Sequence, residues 1–71
     1  MITLDKIQAR ISEEIKNSKL SQTEIAKAIG VNQSQISCYL HGKKMPALDT
    51  FANLCQVLDV SPAYLLGINN D

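Results

Sequence analysis

The stretch Ser21-Gln-Thr-Glu-Ile-Ala-Lys-Ala-Ile-Gly-Val-Asn-Gln-Ser-Gln-Ile-Ser-Cys-Tyr-Leu-His-Gly42 decides the fold. Ser21-x-x-Glu24 is a capping box, in which the serine hydroxyl accepts from the Glu24 amide and the carboxylate reaches back to the Ser21 amide. It predicts a helix start, with Leu20 and Ile25 at the positions of a hydrophobic staple. Ile25, Ala26 and Ile29 make the buried stripe, and small Ala26 and Ala28 suit a close helix crossing. Gly30 follows the last periodic residue, where a left-handed cap is least costly for glycine. Asn32 then caps a second short helix that ends at Gly42. Its Ile36, Tyr39 and Leu40 share one side, while Ser34, Ser37, Cys38 and His41 share the other, flanked by Gln33.

Outward from this pair, Leu4, Ile7, Ile11 and Ile15 recur at helical spacing and predict a helix over about residues 4–18. Lys43-Lys44-Met45-Pro46 reads as a loop, because Pro46 disfavours helical geometry at Met45. Leu48, Phe51, Ala52, Leu54, Cys55 and Leu58 form the apolar stripe of a helix over 48–58, with Ala47 as a weak cap. Ser61-Pro62 is a cap followed by proline at the first helical position, and it opens a short fifth helix that Gly67 ends. No segment has strand period, so the expected fold class is all-α: a compact five-helix domain over residues 1–71, with 69–71 as a loose tail.

Seventy-one residues, 45% of them apolar, fit one small folded domain rather than a disordered chain. No apolar run approaches the roughly 20 residues that span a bilayer, and the first residues lack the pattern of a signal peptide. The cytoplasm is the expected compartment, with no membrane partner. Cys38 and Cys55 are then expected as two unpaired thiols. Cys38 and His41 lie three apart on one helix, but no fourth ligand stands at zinc-like spacing, so no metal is predicted. His41, the one histidine, has no evident carboxylate partner, and Glu13-Glu14 reads as a solvated helix face. Nothing in the chain indicates an enzyme, a cofactor or a small-molecule ligand.

The net charge is zero, which weighs against nucleic acid as a partner. Its distribution weighs the other way: residues 19–44 carry Lys19, Lys27, Lys43 and Lys44 against Glu24, and the rest of the chain carries the balancing negative excess. A short helix with amides and hydroxyls facing out suits the base edges of a major groove. Gln33 can bond adenine bidentately, and Ser34 and Ser37 can bond several bases or a phosphate. The other reading of the same residues is a small helical packing whose exposed face merely happens to be polar.

Leu20-Ser21-Gln22-x-Glu24-Ile25-Ala26, Gly30-Val31-Asn32-Gln33-Ser34-x-Ile36-Ser37, Gly42-Lys43-x-x-Pro46 and Leu58-Asp59-Val60-Ser61-Pro62 with Leu65-Leu66 run in order along nearly the whole chain. In this pattern the sequence resembles the lambda-repressor-like helix-turn-helix domains of the Cro/repressor, or xenobiotic-response-element, family. The resemblance implies a sequence-specific regulator of transcription, most simply a repressor, that binds double-stranded DNA as a homodimer. It implies base contacts from Gln33, Ser34, Ser37 and Cys38. It implies phosphate contacts from Gln22, Thr23, Asn32, Lys43 and Lys44.

Three departures from the pattern involve four positions. Cys38 stands where relatives commonly have arginine, and Asp59 where they commonly have glycine. Leu40 and Ile15 stand where relatives often pair a glutamate with an arginine, so the two are expected to touch as an apolar replacement of that pair. With no separate dimerisation segment in the 71 residues, Val57, Tyr64, Leu65 and Ile68 are the expected dimer surface, unless they belong to the core. The alternative function is a protein-interaction module of the same fold, antitoxin-like or an anti-repressor partner.

Overall fold

Five helices in the order α1 (Leu4–Asn17), α2 (Gln22–Ile29), α3 (Gln33–Leu40), α4 (Leu48–Leu58) and α5 (Pro62–Leu66) make up the computed structural model, which describes residues 1–68. There is no strand among the described residues. The expected tail at 69–71 lies outside them.

Local chemistry places the helix ends. Thr3 Oγ1 accepts from Lys6 N at the start of α1, 3.3 Å. At α2 the capping box closes in both directions, with Ser21 N donating to Glu24 Oε1 at 2.9 Å and Glu24 N donating to Ser21 Oγ at 3.1 Å. Gly30 ends α2 at φ +76°, a left-handed conformation that an L side chain rarely adopts. Asp59 ends α4 in the same region, φ 55°, which aspartate tolerates better than most residues. Ser61 caps α5 through Tyr64 N, with Pro62 at the first position.

The buried faces meet in one core of Ile11, Ile15, Ile25, Ala26, Ile36, Tyr39, Phe51, Leu54, Cys55 and Leu65. Each fully buried aliphatic side chain among them contributes about 1.5–3 kcal/mol of transfer free energy. α2 packs on α3 and α4, while α1 packs on α3 and α5. Ile15 lies inside this core, and Leu40 packs on its edge where α1 meets α3. Burial pushes the Cys55 thiol up from its ordinary pKa.

Several expected core positions fall outside. Leu4 is 68% exposed and Leu48 86% exposed, each in the first turn of its helix. Periodicity assigns them to the right face, but the neighbouring helices cover that face only from Ile7 and Phe51 onward. Ala28 faces solvent, so Ala26 alone makes the close approach of α2, and Leu20 stays exposed beside buried Ile25. Conversely, Leu65 is 1% exposed and belongs to the core, which removes it from the expected dimer surface. Tyr64 is half-buried because Arg10 holds it. The guanidinium stacks 5.2 Å from the ring centroid and Nη1 donates to the Tyr64 carbonyl at 2.9 Å. Val57 is half-buried, and of that set only Ile68 is openly exposed.

Candidate nucleic-acid interface

The left-handed Gly30 turns the chain so that only three residues separate α2 from α3. Val31 N donates back to Ala26 O at 3.0 Å, closing the turn. Asn32 then adopts the extended backbone of an N-cap, φ −77° and ψ 149°. Gln35 Oε1 accepts from Asn32 N at 3.1 Å, while the Asn32 side chain faces the first turn without closing a cap hydrogen bond of its own. Ile36 and Tyr39 anchor the inner face of α3 in the core.

The outer face carries the expected base-reading set. Gln33 and Ser34 are exposed in the first turn, and Ser37 and Cys38 are half-buried one turn further on. Gln22 stands at the first position of α2, half-buried, with exposed Thr23 beside it. Gln33 Nε2 donates to Gln22 Oε1 at 3.1 Å, so the amino-terminal tips of the two helices share one amide pair. Thr23 and Asn32 lie exposed near these tips, whereas Lys43 and Lys44 are exposed just past the far end of α3. The nine expected contact residues therefore lie on and around α3 and at the start of α2, with the two lysines at the opposite end of α3 from the amide pair.

The electrostatics come from backbone and loop rather than from charged side chains on the face. The unpaired amides at the start of α2 carry the positive end of its macrodipole. Glu24 lies in that same turn, and its hydrogen bonds from the Ser21 backbone and hydroxyl hold its carboxyl below the ordinary value. Among the described residues no polar or charged side chain is buried, and no cluster of three or more histidine, cysteine or acidic groups stands ready for a metal. The surface depressions are open grooves, among them one between α1 and the end of α3 lined by Gln8, Ser12, Lys16, Leu40 and His41.

A family model described as Helix-turn-helix matches residues 11–65. The chain belongs to the helix-turn-helix family of the Cro/repressor type. This helix-turn-helix chain is 34% identical over 62 residues to an uncharacterized HTH-type transcriptional regulator, YobD, of Bacillus subtilis strain 168. The match covers 87% of the chain and 55% of that relative, so the chain spans just over half the relative's length. Its fold is similar to the P22 c2 repressor crystallised with a synthetic operator, with a TM-score of 0.74 and 28% identity, over 89% of this chain and 96% of that one. It is also similar to the SOS-response repressor LexA of Eubacterium rectale, with a TM-score of 0.76 and 23% identity, over 94% and 74%. The latter likeness concerns the fold alone.

Sequence reasoning missed some residues of this region. Gln35 was legible, because Asn32-x-x-Gln35 has capping-box spacing. Ser12, whose hydroxyl donates to the Leu40 carbonyl, was not, since the two are 28 residues apart and nothing local marks them.

Proposed function

We propose that this helix-turn-helix chain is a transcriptional regulator, most simply a repressor, that binds double-stranded DNA and reads the major groove with α3. The observation that carries the reading is the Gln33–Gln22 amide pair at the exposed tip of the two helices. Gln33 has a second Nε2 hydrogen and its Oε1 free for N7 and N6 of an adenine, while Gln22 keeps its own Nε2 for a phosphate. A base contact and a backbone contact are thereby coupled through one hydrogen bond. Ser34, Ser37 and Cys38 extend the reading face, and Thr23, Asn32, Lys43 and Lys44 flank it for phosphate. The likeness to a repressor solved with an operator supports the same reading.

With few charges on α3, affinity for one half-site is modest, and a homodimer on two half-sites about 34 Å apart supplies the rest. The chain acts without catalysis, and its expected place is the cytoplasm. A second reading, a protein-interaction module of the same fold, is favoured by the zero net charge and by the uncharged Cys38 on the reading face. Selection of bound sites from random duplex separates the two. The DNA reading predicts an enriched half-site, repeated with dyad symmetry at one helical turn. Recovery of no preferred duplex favours the protein partner.

A further inference from the structure

The carboxy-terminal end of α3 is held differently from its start. A helix leaves its last four carbonyls without intrahelical partners. Here Ser37 O accepts from His41 N at 3.0 Å, Cys38 O from Lys43 N at 2.9 Å, and Tyr39 O from Gly42 N at 3.4 Å. The fourth, Leu40 O, accepts from another helix: the hydroxyl of Ser12 on α1 donates to it. One turn earlier on α1, Gln8 lies against the chain reversal that follows α3. A Cβ at Gly42 would stand 2.8 Å from Gln8 Nε2 and 2.9 Å from Gln8 Cδ, and Gly42 itself has φ +72°.

The rest of the α1–α3 packing is apolar: Ile11, Ile15 and Ile36 lie in the core, and Leu40 packs against it. Apolar burial is non-directional, so such a contact resists separation more than it resists rotation or sliding. A hydrogen bond to a carbonyl has a preferred distance and angle. We infer that Ser12, backed by Gln8, is a positioning residue that sets the tilt of the carboxy-terminal half of α3 against α1, and with it which base edges Ser37 and Cys38 meet. The inference rests on the proposed DNA reading. At the other end, the Gln33–Gln22 pair fixes Gln33 independently, so loss of the Ser12 bond swings the far half of the reading face while the tip stays in place.

The test compares wild type, Ser12→Ala and Ser12→Thr, with two readouts. Residual dipolar couplings on the free protein report the orientation of α3 against α1, and site selection from random duplex reports base preference. The expected result is an α3 tilted at its carboxy-terminal end in Ser12→Ala, with unfolding still cooperative. Its affinity falls roughly 3–10-fold, the range that one net hydrogen bond of about 1 kcal/mol supplies. Preference flattens at the base pairs nearest Ser37 and Cys38 rather than at the one nearest Gln33, and Ser12→Thr, which keeps the hydroxyl, restores both readouts. An unchanged α3 orientation in Ser12→Ala overturns the inference whatever the duplex data show. So does a uniform loss of affinity that tracks stability and is not rescued by threonine. If wild type selects no duplex, the DNA reading fails and the assignment of Ser12 to base reading falls with it, while the couplings still decide whether the hydroxyl orients α3.

Discussion

At the tip of α3, one glutamine has hydrogen-bonding capacity for two partners. Gln33 donates one Nε2 hydrogen to Gln22 and keeps enough of its amide for bidentate contact with a base. Gln33→Ala removes the proposed base contact and the hydrogen bond to Gln22. In duplex competition this variant is expected to lose about 1–3 kcal/mol of discrimination at a single base pair, with little change in thermal stability because the side chain is exposed. Leu40 presents a different balance. It packs on the core edge near Ile15, where a lone carboxylate would be partly desolvated, although Lys16 lines the same groove. Leu40→Glu is expected to destabilise by roughly 1–3 kcal/mol in urea unfolding. Adding Ile15→Arg should recover part of that loss if the two side chains meet as expected; strictly additive losses would show that they do not.

The helix ends were the most legible elements, because caps are local chemistry. Ser21-x-x-Glu24, Gly30 and Ser61-Pro62 each needed only their own neighbours to be read, and each forms as expected. What the sequence left hidden depends on other elements. The stripe of α1 gave no sign that cover stops at Ile7, nor that of α4 that Leu48 projects past its neighbours. Ser12 and Leu40 O meet only because α1 crosses the end of α3. The residues of the candidate site were readable as polar positions on one face, whereas the amide pair joining Gln22 to Gln33 needed the turn geometry at Gly30.

The capping box at α2 also sets a pH dependence. Hydrogen bonds from the Ser21 backbone and then its hydroxyl hold the folded-state pKa of Glu24 below its ordinary 4.5. A depressed carboxylate contributes stability that is fully present above the unfolded value and is lost as pH falls through the folded one. Wild type should therefore lose an increment of thermal stability as pH drops below about 4.5, and Glu24→Gln should flatten that part of the profile. An identical acid limb in the variant would show that the box is not closed in solution.

Over the whole molecule, charge and shape divide the work of binding. The chain is neutral overall, but its positive excess lies in residues 19–44, which contain the reading helix and the two lysines after it. α2 and α3 pack against each other, with α4 behind α2 and α1 behind α3. If the proposed reading holds, a neutral domain that reads bases through amides and hydroxyls draws its specificity from neutral hydrogen bonds. On the proposed reading, its affinity comes from a few phosphate contacts doubled by a second copy. The measurement that tests this most directly is binding to its selected duplex across a salt series. The account predicts measurable binding at low salt, with log K falling linearly against log salt by about 0.9 for each phosphate that a lysine neutralises, and a slope shallower by about 1 per half-site after Lys43→Ala. No duplex binding at low salt would contradict it, as would binding that is indifferent to salt.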